Sequence, residues 1–219
     1  YVQFGYITAP LTFIKEIKKL QPGEMIVIDI KKRSLSKNIY WNFDFHEEKN
    51  SAQFYKESFL NEWKETIRDQ LVSEVPLGVY LSGGLDSSSV VAMIKQLYPE
   101  HALTTFSVGF NTPEVINELI YAQKVASYYK TDHQEILLES DAVKDIPSVI
   151  HALDEPINNL SAVPLYHMAS HASKKVRVVL SGNGGDELFA GYMQHRFMNF
   201  ALQNKPLLSV PPYHEMKAT

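Results

Sequence analysis

Short apolar stretches alternate with helical patterns through most of the chain after residue 51. The stretches predicted to be strands are residues 78–81, 103–110, 133–138 and 176–180. Strands of this kind, joined by helices, are typical of a parallel sheet that is covered on both faces. Because crossovers between parallel strands are right-handed, the sequence predicts an α/β fold with a doubly wound parallel sheet and helices on both faces.

Helical periodicity fills the segments between these strands. Ser51 is predicted to cap a helix whose apolar residues recur at i, i+4 spacing as far as Leu71. The apolar stripe of this helix, expected to pack in the core, consists of Phe54, Phe59, Trp63 and Ile67. The other predicted helices span residues 86–98, 118–129, 141–153 and 164–174. His167 and His171 have the spacing of two metal ligands, but no third ligand accompanies them, and an ordinary helix face is the preferred interpretation.

The first 42 residues have a different pattern, of short strands and turns. Residues 1–7 and 24–30 are predicted strands, and a Pro-Gly turn precedes the second of them. Residues 43–51 are polar and of mixed charge, as in a linker. The sequence therefore predicts three parts, which are residues 1–42, the linker 43–51 and a main domain over 52–219. Residues 205–219 hold three prolines and show little periodicity.

Composition excludes several classes of function. The chain has no cysteine, which excludes disulfides, thiolate zinc sites and a cysteine nucleophile within these residues. The net charge of −4 argues against a nucleic acid or an anionic membrane as partner. No apolar run approaches the roughly 18 residues that span a bilayer. These features lead us to expect a cytoplasmic protein.

Two glycine-rich turns follow the first and the last of the four predicted strands. Residues 81–88 read LSGGLDSS, and residues 180–187 read LSGNGGDE. Both turns begin Leu-Ser-Gly, and both reach an aspartate a few residues later. Because ligands of open parallel sheets bind beyond the carboxyl ends of the strands, both turns are expected at the ligand-binding edge.

The residue types in these turns suit a chain of phosphates. Glycines let several backbone N–H groups converge on one anion, and the helix that begins near Asp86 directs its positive end to the same place. Ser82, Ser87 and Ser88 add hydroxyl donors. Asp86 and Asp186 repel phosphate, but they suit a divalent cation bound between carboxylates and phosphates, and Mg²⁺ prefers such oxygen ligands.

The missing lysine narrows the type of phosphate site. No lysine follows the glycines, so neither turn is a Walker loop, and chemistry at the α-phosphate with pyrophosphate as leaving group is expected. The alternative is an ordinary strand-to-helix turn with an aspartate cap. The second Leu-Ser-Gly turn argues against that alternative.

The segment SGGLDSS resembles the pyrophosphate loop of the ATP pyrophosphatases that make adenylates. The whole arrangement is similar to the synthetase domain of the glutamine-dependent asparagine synthetases, over about residues 54–192. The segments that carry the resemblance, in the family's order, are SEVPLGVYLSGGLDSSSV, FSVGF, NELIYAQKVA, TDHQEI, DEP and VVLSGNGGDELFAGY. Residues 1–42 resemble the last part of that family's glutaminase domain, so the chain resembles a fragment, with the rest of the glutaminase domain missing.

The resemblance implies a two-step reaction with small-molecule substrates. Aspartate would attack the α-phosphorus of ATP, and ammonia would then displace AMP to give asparagine. Asp86 and Asp186 would share Mg²⁺. The residues implied to hold pyrophosphate are Ser82, Gly83, Gly84, Asp86 and Ser87, and those implied to contact adenosine are Leu81, Val108, Ser181 and Gly182. A homodimer is a further expectation.

Three departures from the family's pattern leave the activity, including the acceptor of the reaction, open. Without a cysteine nucleophile the chain cannot hydrolyse glutamine by the family's route. Asn183 stands where asparagine synthetases usually carry an acidic residue, and an amide is no general acid or base, although it can hydrogen-bond an intermediate. The segment 157–161 lacks the arginine expected there. The alternatives are a ligase that acts on another carboxylate, by amide formation or ring closure, and an inactive ATP-binding remnant.

Overall fold

The computed structural model describes residues 1, 5–46, 48–111, 118–139, 141–156, 159 and 161–204. Its strands are β1 Glu24–Asp29, β2 Ser34–Ile39, β3 Leu77–Tyr80, β4 Thr104–Phe110, β5 Asp132–Leu138 and β6 Val178–Leu180. Its helices are α1 Ala52–Gln70, α2 Leu85–Leu97, α3 Leu119–Tyr129, α4 Ile146–Leu153, α5 Ala162–Ala172, α6 Gly185–Phe189 and α7 Met193–Gln203. The four predicted strands of the main domain are confirmed.

A four-stranded parallel sheet in the order β5-β4-β3-β6 forms the centre of the main domain. Val79 of β3 lies opposite Thr105 of β4 on one side and Leu180 of β6 on the other. The first and the last strand of the domain are therefore neighbours. Since parallel strands end at the same edge, this order brings the two glycine-rich turns side by side.

Helices cover both faces of this sheet, as predicted. Val79 and Leu81 are at most 1% exposed and belong to a core cluster with residues of α1, α2 and α3. Side chains alternate between the two faces of a strand, so the intervening Tyr80 points the other way, where it packs with Phe106 and the α5 residues Met168 and Ala172. The α/β fold class is confirmed.

Helix α1 shows where the prediction of its core stripe was wrong. Ser51 caps the helix, because its side-chain oxygen accepts a hydrogen bond from the Phe54 N–H at 3.1 Å. Ile67 is buried and Trp63 packs against the same cluster. Phe54 and Phe59, however, are 50% and 41% exposed. The α1 side chains that pack in or against the core cluster are Trp63 and Ile67, both in the C-terminal half of the helix, whereas the Phe59 ring contacts the Phe189 ring at 5.2 Å.

The N-terminal part forms an antiparallel hairpin, in which β1 pairs with β2 from Glu24↔Ile39 to Asp29↔Ser34. The predicted strand over residues 24–30 is confirmed, and β2 was missed. The predicted strand over residues 1–7 is wrong for residues 5–7, whereas residues 2–4 lie outside the described residues. Lys19 of this part forms an ion pair with Glu155 at 2.6 Å, just after α4.

Two further segments differ from the sequence prediction. The helix predicted over residues 141–153 consists of a 3₁₀ turn, Ala142–Asp145, followed by α4 with a proline in its first turn. Helices α6 and α7 were missed, and the tail at residues 205–219 lies outside the described residues. Within the described ranges, every helix is too short or too polar to cross a membrane.

Candidate functional site

Both glycine-rich turns open on one cavity of about 700 Å³, here called the nucleotide cavity, at the carboxyl ends of β3, β4 and β6. The turn of residues 81–88 is called the first turn, and that of residues 180–187 the second turn. The predicted site residues that line the cavity are Leu81, Ser82, Gly84, Asp86, Ser87, Val108, Ser181, Gly182, Asn183 and Asp186. Gly83 and Ser88 are the predicted residues that do not line it.

Hydrogen bonds around Ser87 shape the first turn. The hydroxyl of Ser87 is 3.2 Å from the backbone N of Ser82, from which it accepts a hydrogen bond, and 3.0 Å from the hydroxyl of Ser82. The Gly84 N–H in turn donates to the Ser82 hydroxyl. Ser87 is 6% exposed, whereas Ser82 and Gly84 are exposed, so these bonds are partly shielded from water. The turn is therefore a preformed loop rather than one that a ligand has to order.

Gly83 holds the first turn against α3. Its φ is +81°, in the left-handed region, and a Cβ there would lie 2.5 Å from the Ala122 backbone N and 2.6 Å from the Tyr121 Cβ. A side chain is excluded on both grounds. Gly83 thus serves the local geometry of the loop, and it contacts α3 instead of the cavity.

The start of α2 faces the nucleotide cavity. Gly84 is the N-cap of this 13-residue helix, and no described side chain caps its first turn. Leu85, Asp86 and Ser87 all line the cavity. Uncapped N–H groups and the positive end of the helix dipole favour an anion at this point.

The two turns touch through glycines of the second turn. A Cβ on Gly182 would lie 2.7 Å from the Ser87 backbone N, and one on Gly185 would lie 2.6 Å from the Asp86 Cγ. The Asp86 carboxyl group therefore lies against the backbone immediately before Asp186. Asp86 and Asp186 both line the cavity and carry hard oxygen atoms, the type of ligand that Mg²⁺ prefers. Among the described residues, no group of three or more His, Cys, Asp or Glu side chains could hold a metal ion.

The charges of both aspartates act on the phenol of Tyr192, which follows the second turn. The Tyr192 hydroxyl donates to Glu187 Oε1 at 2.9 Å. The Glu187 backbone N–H and this phenol lower the pKa of the Glu187 carboxyl group. The hydrogen bond to Glu187 raises the pKa of Tyr192, burial adds to the rise, and the charges of Asp186 and Asp86 contribute to it as well. Tyr192 stands five residues after Glu187 and closes the segment VVLSGNGGDELFAGY, but no role was predicted for it.

Other residues of the cavity wall were also missed. They are Tyr80, Leu85, Ser107, Glu118, Pro164, Leu165, Met168 and Val179, whereas Ser161, which also lines the cavity, belongs to the segment 157–161 that the sequence had associated with the acceptor. Ser107 is 2% exposed and donates to the Leu81 carbonyl, which fixes the last peptide before the first turn. Its position one residue before Val108, at the end of a predicted strand, was the available signal.

The two histidines of α5 do not form a metal pair. His167 Nε2 lies 2.8 Å from Asp145 Oδ2, whereas the His171 ring stands at 6.4 Å from the Phe106 ring. Each histidine therefore has its own neighbour, and the interpretation as an ordinary helix face stands.

Comparison with known families agrees with this architecture. The model of the asparagine synthase family matches residues 59–217, which is most of the chain. The chain therefore belongs to the asparagine synthase family.

Individual relatives cover the chain but are much longer. Asparagine synthetase 2 (glutamine-hydrolysing), provisionally named in Methanocaldococcus jannaschii, is 35% identical over 89% of this chain and 38% of its own length. Asparagine synthetase 1 (glutamine-hydrolysing) of Bacillus subtilis is 31% identical over 96% of this chain and 32% of its own length. The chain therefore spans about a third of the length of these relatives.

Among solved structures, the NH₃-dependent NAD synthetase of Campylobacter jejuni covers 64% of this chain and 60% of its own, with a TM-score of 0.38 and 17% identity. That likeness is too distant to inform the site.

Proposed function

We propose that the two turns bind ATP with Mg²⁺ and that the domain activates a carboxylate as its adenylate before an amide is formed. The observation that carries the proposal is the contact between the turns, with the Asp86 carboxyl group against Gly185 in a cavity at the sheet edge. Membership of the asparagine synthase family supports the same chemistry.

Each part of the nucleotide cavity has a role in this proposal. The residues that would hold pyrophosphate are Ser82, Gly84, Asp86 and Ser87, with the uncapped start of α2 beside them, and Gly83 would keep the loop in shape from outside the cavity. Leu81, Val108, Ser181 and Gly182 would contact adenosine. Asp86 and Asp186 would hold Mg²⁺, which when bound neutralises charge on the phosphate oxygens.

The reaction proceeds by two displacements. A carboxylate oxygen of the acceptor bonds to the α-phosphorus of ATP, the bond from that phosphorus to the bridging oxygen breaks, and pyrophosphate leaves. Ammonia then attacks the acyl carbon, the bond to AMP breaks, and a proton is lost as the amide forms. The protein contributes positioning and charge stabilisation. Aspartate is the acceptor that the family suggests, and Asn183 is placed to hydrogen-bond the reacting group.

A second candidate keeps the fold and changes the acceptor. The charged side chains of the nucleotide cavity are Asp86, Glu118 and Asp186, and the described lining contains no cation. Aspartate carries a second carboxylate, which would have no cationic side chain as partner among the described lining residues. This observation favours a ligase that acts on another carboxylate.

The proposal extends to the organisation of the chain. Residues 1–42 correspond to the end of a glutaminase domain and residues 43–51 to the linker that follows it. Ammonia would come from such a domain or from solution. The ion pair between Lys19 and Glu155 supports a fixed contact between this part and the main domain.

Exchange of labelled pyrophosphate into ATP tests the adenylation step directly. We expect exchange that requires both Mg²⁺ and a carboxylate, and no exchange without either. Mg²⁺-dependent ATP binding without exchange for any carboxylate would identify an inactive ATP-binding domain and overturn the adenylation step.

The role of Asn183 has its own test. Because an amide side chain cannot transfer a proton at neutral pH, Asn183→Glu is expected to raise the yield of amide from ammonia without raising pyrophosphate exchange. Product analysis by mass spectrometry measures the amide. An unchanged yield would show that Asn183 does not limit the second step.

A further inference from the structure

A second cavity, of about 370 Å³, lies between α4 and α5 and is here called the side cavity. The residues that line it are Val149, Ala152, Leu153, Asn159, Ser161, Ala162, Leu165, Tyr166 and Ala169. Cavities of a few hundred cubic ångströms are the size that takes small ligands or parts of them. The side cavity is not explained by the binding of ATP.

The side cavity adjoins the nucleotide cavity. Both cavities are lined by Ser161, which directly precedes α5, and by Leu165, which lies within α5. A ligand that reacts at the end of the nucleotide cavity near Ser161 can therefore extend past Leu165 into the side cavity. The acceptor of the proposed reaction is such a ligand, because one end of it must meet the α-phosphate.

The walls of the side cavity are apolar and uncharged. Polar side-chain atoms come from Asn159, Ser161 and Tyr166, and the remaining walls are aliphatic. Beside it, the charged groups of the nucleotide cavity are carboxylates. In the sequence, positions 157, 158 and 160 of the same segment are isoleucine, asparagine and leucine, so no cation comes from them either.

We propose that the side cavity binds the apolar body of the acceptor, so that the acceptor is a monocarboxylic acid with an aliphatic or aromatic group and not free aspartate. This inference rests on the proposed function, of which it specifies the substrate class. An unpaired charge in such surroundings is costly, whereas each buried methylene is favourable. The one carboxylate of the acceptor is consumed by adenylation and needs no cation of its own in the side cavity.

A series of acids of increasing length tests the proposal on the full chain. Acetate, butyrate, hexanoate and aspartate are titrated into protein that is loaded with Mg²⁺ and an ATP analogue that cannot release pyrophosphate. From acetate to hexanoate we expect the dissociation constant to fall about fourfold for each methylene. Hexanoate should bind more tightly than aspartate.

Two substitutions fill the side cavity from opposite walls. Ala152 on α4 and Ala169 on α5 both line it and are exposed, so Ala152→Phe and Ala169→Phe place a ring in open space instead of the core. Each is expected to abolish the dependence on chain length while acetate still binds. His151→Phe is the matched control, because His151 is exposed on α4 and does not line the cavity, and it should keep the wild-type series.

The outcomes distinguish a failure of the side-cavity inference from a failure of the proposed function. Tighter binding of aspartate than of hexanoate, or an unchanged hexanoate affinity in both cavity-filling variants, would overturn the inference and leave the proposed function standing. Failure of every acid to bind, with ATP and Mg²⁺ still bound, would overturn it as well. Failure of the wild-type chain to bind ATP with Mg²⁺ would contradict the proposed function itself.

Discussion

The first turn is shaped by a network of hydrogen bonds around Ser87, whereas in the second turn the Asn183 N–H reaches the Ser181 hydroxyl at a long 3.5 Å. The strand and helix that flank the first turn are also longer and more deeply buried than those that flank the second turn. The first turn joins β3, with Val79 fully buried, to the 13-residue α2. The second joins the three-residue β6 to the five-residue α6, which has no buried residue.

This difference suggests separate roles for two turns that begin with the same three residues. The first turn is held by the core and can present a preformed anion site. The second turn depends on contact with the first, through Gly182 and Gly185, for its position. It is thus the less firmly held half of the site, and it carries Asn183, which would hydrogen-bond the reacting group in the proposed function.

Removal of the shared carboxylate should have the largest effect. Asp86→Ala is expected to reduce carboxylate-dependent pyrophosphate release by at least about 100-fold, because Asp86 is the group through which both turns would hold Mg²⁺. Thermal unfolding should stay close to wild type, since Asp86 lies on the ligand side of the turn. Asp69→Ala, at an exposed position of α1, is the control. Turnover that survives in Asp86→Ala would contradict the metal assignment.

Two glycine-to-alanine substitutions, one in each turn, compare how firmly the turns are held and should have the next largest effect. Gly83 and Gly184 both have positive φ, +81° and +99°, but a Cβ would clash with α3 only at Gly83 and would meet nothing within 4 Å at Gly184. Gly83→Ala should lower the free energy of unfolding by about 2–5 kcal/mol, and Gly184→Ala by about 1–2 kcal/mol. Chemical denaturation measures both. Equal losses would mean that the two turns are held alike.

Matching serine substitutions should have smaller effects. Ser87→Ala removes the centre of the buried network and leaves the Ser82 N–H without its acceptor, at a cost of about 1–2 kcal/mol in stability. Ser181→Ala, in the second turn, should change stability by no more than about 0.5 kcal/mol. The account would be wrong on this point if Ser181→Ala were the more destabilising of the two.

The sequence was sufficient to predict much of this arrangement. The strands of the main domain are short and apolar, and their turns carry glycines, so periodicity alone located β3, β4, β5 and β6 to within two residues. The common edge of parallel strands then placed both turns at one site. Local signals of this kind also located Ser51 as the cap of α1.

The remainder depends on contacts that no local pattern encodes. The pairing of β3 with β6 joins strands about a hundred residues apart, and the contact of Asp86 with Gly185 follows from it. Phe54 and Phe59 have helical spacing like Ile67, yet only the tertiary packing decides which of them is buried. The side cavity likewise arises from how α4 and α5 meet.

The smallest predicted effect concerns the pH dependence of the second turn. Tyr192→Phe removes the hydrogen bond that helps to lower the pKa of Glu187 below its usual 4.5 and to raise that of Tyr192 above its usual 10.0. A lowered carboxyl pKa stabilises the fold above pH 4.5, and this contribution is lost as the pH falls through the lowered value. The phenol's contribution is present below pH 10.0 and is lost as the pH rises through the raised value.

The stability of Tyr192→Phe should therefore fall below that of wild type at neutral pH and converge with it at both extremes. Denaturation curves from well below pH 4.5 to well above pH 10.0 measure this difference. A constant difference across that range would show that the bond to Glu187 is not its cause.

Calorimetry of ATP binding, with and without Mg²⁺, tests most directly the claim that the two turns form one nucleotide site. The account predicts binding that Mg²⁺ strengthens and that Asp86→Ala and Asp186→Ala weaken to the same extent, because both carboxylates would hold one cation. Binding that does not depend on Mg²⁺, or that only one of the two substitutions affects, would contradict a shared site.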